Sequence, residues 1–242
     1  MTEFIEPDWP VPSGVRAAFT TRRGGVSEAP FDSFNLGLHV GDDAGCVRQN
    51  RALLSRELDL PAEPCWISQT HGVRAVVLEE EASRDADAAI TRARGQVAVV
   101  MVADCLPVLL CNHDGSEVAA LHAGWRGLQA GVIQSALAGM RSAPAQLMAW
   151  IGPGISREFF EVGDEVLDAF VDSIDGARDY FAAHGPGRWL CDLGGLAECV
   201  LERQGVGRIW RDMRCTYRDA GKFYSYRRDR VTGRMAALIW IN

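Results

Sequence analysis

An α/β fold with mixed sheets is predicted by three features of this 242-residue sequence. Residues 97–102 and 108–111 are apolar and rich in valine or leucine, as in strands covered on both faces. Other stretches carry apolar residues at helical spacing, Ala44, Val47, Leu54 and Leu58 among them. Asn112-His113-Asp114-Gly115 stands between two apolar runs as a hairpin turn, which brings antiparallel pairing into an otherwise α/β pattern.

Residues 15–21 read as the first strand, which runs into the glycine loop Arg22-Arg23-Gly24-Gly25-Val26-Ser27. That loop continues to Gly37, and its length suits a mobile connector or part of a site. Residues 43–58 form an amphipathic helix with Arg48, Arg51 and Arg56 elsewhere around it. Short strands follow at 65–67, 75–78, 86–90, 97–102, 108–111 and 118–121. Leu128, Val132, Ala136, Leu137 and Met140 predict a helix from Gly127 to about Arg141, and residues 147–151 a strand closed by Gly152-Pro153-Gly154. Val166, Leu167 and Phe170 mark another helix; Leu193, Leu196, Ala197, Val200 and Leu201 mark one more behind Asp192 as N-cap. The last strands are expected near 208–210, 223–226 and 236–241. No linker, repeat or charge block divides the chain, so one domain is expected over 1–242.

A net charge of -7 excludes a protein built mainly to bind nucleic acid or acidic membranes, while leaving room for local basic sites. No run approaches the ~18 apolar residues that span a bilayer, and residues 1–7 lack a basic segment followed by an apolar one. A cytoplasmic location is the expectation. Seven cysteines without a CxxC pair make neither a disulfide framework nor a zinc ribbon, so most are expected reduced and buried. The oligomeric state is left open.

The chemistry concentrates at His122-Ala123-Gly124-Trp125-Arg126-Gly127, which ends an apolar strand with a histidine and opens a helix with an arginine. Gly124 and Gly127 permit a sharp turn, and the helix-start amides after Gly127, beside Arg126, suit phosphate. Gln69-Thr70-His71-Gly72 and Ala103-Asp104-Cys105-Leu106-Pro107 share the same grammar, a polar residue at the end of an apolar run. Side by side, these strand ends would unite His71, Cys105 and His122 as three zinc ligands with an open fourth position, the arrangement of catalytic zinc. The residues alone equally allow two hydrogen-bonded strand-end histidines and a packing cysteine.

Asp104 is a candidate proton carrier or a strand-end hydrogen-bond acceptor. Arg22 is a candidate anion ligand, whereas His39, His113 and His184 fall in loop-like contexts and are expected in solvent. Tyr224-Ser225-Tyr226-Arg227-Arg228-Asp229 shows strand alternation with a basic end; it offers Tyr226 and Arg227 to a substrate or forms a solvated edge. No GxGxxG or GKS/T pattern signals a nucleotide fold.

Together with Thr21-Arg22-x-Gly24-Gly25-Val26-Ser27, Phe160-Glu161-Val162-Gly163 and Phe223 to Asp229, the HG, ADC and HAGWRG elements strongly resemble the YfiH-like family over nearly the whole chain. That family has been described as polyphenol oxidoreductase or laccase, as purine nucleoside phosphorylase with adenosine deaminase activity, and as a peptidoglycan-editing factor. The resemblance implies a single αββα-type domain like the catalytic domain of cytotoxic necrotizing factor toxins, with zinc held by His71, Cys105 and His122.

It also implies a purine nucleoside phosphorylase acting on adenosine, inosine or methylthioadenosine with phosphate, and a deaminase side activity. Cleaving the N-glycosidic bond through an oxocarbenium-like sugar requires a held phosphate, for which Arg22, Arg126 and Gly127 are the candidates. A multicopper laccase needs more imidazoles than five scattered histidines supply, although copper also binds such ligands. A rival uses Cys105 as nucleophile and His122 as base in an amidase acting on a muramyl-peptide precursor. A third reading, a protein that only binds nucleosides, would be excluded by turnover.

Overall fold

Period-two alternation along the strands sorts the apolar side chains onto opposite faces of two sheets. The computed structural model describes residues 2–242. Its strands are β1 (Phe4–Ile5), β2 (Val15–Thr20), β3 (Cys65–Trp66), β4 (Ala75–Val77), β5 (Ala88–Thr91), β6 (Val97–Val102), β7 (Leu106–Asn112), β8 (Val118–Ala123), β9 (Leu147–Ile151), β10 (Glu161–Gly163), β11 (Phe181–Ala183), β12 (Arg188–Cys191), β13 (Arg208–Arg211) and β14 (Met235–Ile241). The helices are α1 (Ala44–Glu57), α2 (Trp125–Ala130), α3 (Val132–Gly139), α4 (Asp164–Val171), α5 (Leu193–Arg203) and α6 (Tyr226–Asp229).

One sheet has the order β1-β2-β14-β6-β3, the other β13-β9-β7-β8-β5-β4, and β10-β12-β11 form a small third sheet. Most pairings are antiparallel, but β3 with β6, β4 with β5 and β9 with β13 are parallel, so the two large sheets are mixed. Phe19, Val100, Leu109, Trp150 and Ile239 meet between these sheets. On the outer face of the first, Val97, Val99, Ala236 and Leu238 pack with Leu54 of α1. On the outer face of the second, Val108, Leu110, Leu121 and Ala149 pack with Leu128, Ile133, Leu196 and Val200 of α2, α3 and α5. The layers therefore run helix, sheet, sheet, helix. Each fully buried side chain of this size contributes about 1.5–3 kcal/mol, so the alternation itself sets the layering.

Asp43 caps α1 by accepting from the Cys46 amide at 2.9 Å, and Asp192 caps α5 by accepting from the Gly195 amide at 3.0 Å. The single helix expected from Gly127 to Arg141 is instead two, α2 and α3, broken at Gly131 with φ 105. Glycine takes this left-handed state without a Cβ penalty, and both pieces keep their apolar face on the sheet, so the helical period survives the break. Residues 223–226 do not form a strand: Phe223, Tyr224 and Ser225 are buried in a loop, and Ser225 caps α6 by accepting from the Arg228 amide at 3.2 Å. No helix among the described residues is long and apolar enough to cross a membrane.

The topology brings the chain across between the two large sheets at one end of the layers. The loop from β3 to β4 crosses from the first sheet to the second and carries His71, and the link from β6 to β7 crosses likewise and carries Asp104 and Cys105. His122 lies near the end of β8, where Pro107 of β7 is its pairing partner.

Candidate metal centre and active site

His71, Cys105 and His122 converge at these crossings, with one ligand atom from each lying within 4.8 Å of the others. The imidazoles meet edge to face with ring centroids 4.7 Å apart, and His71 Nε2 lies 3.9 Å from Cys105 Sγ. Zinc bonds of about 2.0–2.1 Å to imidazole and about 2.3 Å to thiolate reach across separations of this order, so the donor set fits a metal that favours nitrogen and sulfur. His122 is buried, Cys105 half-buried and His71 exposed, which leaves one side of the cluster open.

Asp87 organises two of the three. Its wholly buried carboxylate accepts from the amides of Thr70 at 3.2 Å, His71 at 3.0 Å and Gly72 at 2.7 Å, and from the Thr70 hydroxyl at 3.1 Å. It also pairs with His122 Nδ1 at 2.8 Å, which turns Nε2 toward the cluster. A carboxylate behind a histidine sets the tautomer and ring orientation that a metal ligand needs. Burial alone would raise the Asp87 pKa, but the His122 ring and the loop amides outweigh it and hold it low.

Without a metal, the cysteine and histidine polarise each other. Burial works against both charged forms, yet the two imidazoles bring the Cys105 pKa down to about 6, while the Cys105 thiolate and Asp87 lift His122 to about 9. A thiolate facing an imidazolium is therefore the favoured metal-free state at neutral pH.

The backbone is shaped for this convergence. His71 has φ 61 and Asp104 φ 91, left-handed states that cost non-glycine residues about 1–3 kcal/mol each and persist only where surrounding contacts enforce them. At Gly124 a Cβ would lie 2.9 Å from Cys105 Sγ, and at Gly127 it would lie 2.8 Å from the Gly72 carbonyl oxygen. These two glycines of the HAGWRG stretch serve close approach. Gly127 sits inside α2 rather than before it, so the helix starts two residues earlier than expected, at Trp125, and has six residues.

Two chambers open from the cluster, sharing His71, Ala103, Cys105 and Tyr226 in their walls. One, of about 240 Å³, is walled by Trp125, Ile155, Phe160 and Leu193 with Arg126, Arg227 and Arg230 beside them. The other, of about 350 Å³, adds His39, Gln69, Met101 and Arg234.

The remaining sequence candidates separate. Arg126 is exposed, lies 4.4 Å over the Trp125 ring and has no ion pair among the described residues. Tyr226 is 51% exposed, and Arg227 donates to the Glu161 carbonyl at 2.8 Å beside Phe160. Arg22 is not brought to the cluster and lines neither chamber: it donates to the Asp32 and Ala220 carbonyls and pairs with the Asp32 carboxylate. Asp104 lines the first chamber, but its carboxylate is occupied by the Thr216 hydroxyl at 2.7 Å, the Ser225 hydroxyl at 3.0 Å and the Arg227 amide at 2.6 Å. The histidines expected in solvent, His39, His113 and His184, are all exposed; His184 also pairs with Glu161, and His39 also lines the second chamber.

Sequence reasoning missed Asp87, His39, Trp125 as a chamber wall, and Arg234. A signal existed for two of them: Asp87 is a lone acid within Ala86-Asp87-Ala88-Ala89-Ile90, and Arg234 a lone base leading into Met235-Ala236-Ala237-Leu238.

Residues 16–242 match the profile of a family described as multi-copper polyphenol oxidoreductase laccase. The chain belongs to this family. It is 46% identical over 243 residues to the Escherichia coli purine nucleoside phosphorylase YfiH, covering 100% of each chain. It is 45% identical to a purine nucleoside phosphorylase of Pseudomonas aeruginosa, covering 100% of this chain and 99% of that one. Among solved structures, a Neisseria meningitidis protein is 44% identical with TM-score 0.95 and covers 99% of both chains. YlmD of Geobacillus stearothermophilus is 32% identical with TM-score 0.87, over 95% of this chain and 93% of that one.

Proposed function

We propose that this protein is a zinc-dependent purine nucleoside phosphorylase that splits adenosine or inosine into free base and ribose 1-phosphate. The observation that carries the reading is a His71–Cys105–His122 donor set opening onto two chambers, one walled by aromatic and aliphatic side chains with three arginines at its margin, the other by His39, Gln69, Met101 and Arg234. The names of relatives that cover the whole chain support the same chemistry.

His71, Cys105 and His122 would hold the metal, which when bound supplies a Lewis acid between the two chambers. Trp125, Phe160 and Tyr226 offer faces on which a purine stacks, and Arg126 and Arg227 flank it. A purine stacked there would shield the anomeric carbon beside the cluster from water on that side. There, a phosphate oxygen forms its bond as the bond to the purine nitrogen breaks; the electron pair leaves with the base, and the hydrogen phosphate proton ends on that nitrogen. Asp104 serves by pinning Ser225 and the Arg227 amide beside the chamber.

The test is product analysis with inosine in the presence and absence of phosphate. Base release should consume phosphate mole for mole. Equal release in phosphate-free buffer would make the protein a hydrolase. The second reading, a Cys105–His122 thiol amidase, is favoured by the low thiol pKa of about 6. It wins if metal-free protein releases an amino acid from a muramyl-peptide precursor and no base from nucleosides.

A further inference from the structure

The reaction needs a place for a dianion, and the exposed Arg126 is poorly suited to provide it, because water and salt screen an exposed charge. We propose that the chamber lined by His39, Gln69, Met101 and Arg234 is the phosphate subsite, with Arg234 as its principal ligand. The assignment rests on the phosphorolysis reading for its ligand, but its geometry stands apart from it.

Arg234 reaches this chamber from the start of β14, with its stem packed so closely on Gly37 that a Cβ there would lie 2.9 Å from Arg234 Cγ. Its Nη1 donates to the Thr232 and Gly233 carbonyls, each at 3.0 Å. Nε and Nη2 have no acceptor among the described residues, and Arg234 makes no ion pair there. One edge of the guanidinium is thus anchored and the other left free, and that free edge is the one that binds a phosphate through two parallel hydrogen bonds.

The negative groups within reach of Arg234 are the Cys105 thiolate, which belongs to the metal cluster, and Asp104, whose carboxylate is taken up by Thr216, Ser225 and the Arg227 amide. No aspartate or glutamate lines the chamber, and Gln69 is spent on the Met101 backbone, donating to its carbonyl and accepting from its amide, each at 2.7 Å. Behind Met101 lies Arg51, stacked 3.7 Å over Trp66, donating to the Leu36 carbonyl and without an ion pair among the described residues. Burial, then the charges of Arg234 and Arg51, push the His39 pKa down, which leaves a neutral imidazole able to donate one hydrogen bond. A half-buried positive field with unfilled donors is a preorganised anion site.

The two chambers then divide the substrates, with the purine among Trp125, Phe160 and Leu193, phosphate at Arg234, and the sugar between them at the cluster.

The experiment measures inorganic phosphate binding by calorimetry, and separately the KM for phosphate and for inosine, in metal-loaded wild type, Arg234→Gln, Arg234→Lys and Arg126→Gln. Arg234→Gln should weaken phosphate binding about tenfold or more while the inosine KM stays within about threefold, and Arg234→Lys should fall between. Arg126→Gln should do the reverse. Wild-type phosphate affinity in folded Arg234→Gln, or loss confined to Arg126→Gln, would overturn the assignment. Should Arg234→Gln fail to fold, Arg234→Lys and His39→Gln decide, since unchanged phosphate affinity in both sinks the subsite. Base release without phosphate consumption by wild type would instead defeat the phosphorolysis reading, and the calorimetric titrations would still decide the subsite.

Discussion

Asp87 and Asp104 are both carboxylates set among apolar residues beside a ligand of the cluster, and both accept several hydrogen bonds, but they hold different things. Asp87 collects the Thr70, His71 and Gly72 amides and the His122 ring, all from the two histidine-bearing segments. Asp104 collects Thr216, Ser225 and the Arg227 amide, which lie 112 to 123 residues further along the chain. One orients the atoms that bind metal; the other ties the cysteine crossing to the wall of a chamber. The role of a buried carboxylate is set by whose hydrogens it receives, since Asp104 adjoins Cys105 in sequence and still serves a distant segment.

Removing a ligand sets the upper limit for that comparison. Cys105→Ala should abolish nucleoside cleavage and leave about a tenth or less of wild-type metal by elemental analysis, because even outer partners of a metal ligand are worth about 10–100-fold in affinity.

The two carboxylates should then part. Asp87→Asn is expected to raise the metal dissociation constant about 10–100-fold in a chelator competition, by loosening the His122 ring and the His71 loop together. Asp104→Asn should keep metal affinity within about threefold of wild type while costing about 1–3 kcal/mol in urea unfolding and raising the inosine KM. Similar metal loss in both variants would erase the distinction.

Thiol reactivity sharpens it further. In metal-stripped protein, the Cys105 pKa of about 6 means that the thiolate persists at neutral pH and is lost only as pH falls through that value. Its alkylation by iodoacetamide should therefore show a midpoint near pH 6 instead of in the ordinary thiol range. Asp87→Asn weakens the support for the His122 imidazolium, so the midpoint should move upward; Asp104→Asn should leave it in place.

The smallest effect belongs to a residue outside both environments. Arg22→Gln should leave phosphate and inosine KM unchanged and lower stability by about 1–2 kcal/mol, since the ion pair is partly exposed but two carbonyl acceptors lose their donor. A clear rise in the phosphate KM would return Arg22 to the site.

Much of the frame was legible in residue order. The run Val97–Val102 is read as a strand with the bounds it has, as is Leu147–Ile151, and Asp192 caps the helix predicted behind it. The Phe223-Tyr224 segment misled because burial inside a loop mimics a strand residue, and α2 and α3 looked continuous because their apolar period runs through Gly131. At the cluster, three polar residues ending apolar runs were visible, but they were expected to be united by neighbouring strands. What unites two of them is the crossing of their loops between sheets, which leaves no mark on local spacing.

The sequence by itself determined most of the strands of the two large sheets, the main helical segments, the Asp192 cap and the residue types at the cluster, because periodicity and capping depend on neighbours a few positions away. Only the tertiary structure decided that Asp87 stands behind His122, that Asp104 faces Ser225, that Arg22 is tied up with Asp32 and that His39 and Arg234 share a chamber. Those contacts join segments dozens to nearly two hundred residues apart, and their partners are chosen by sheet order and register, which no local pattern encodes.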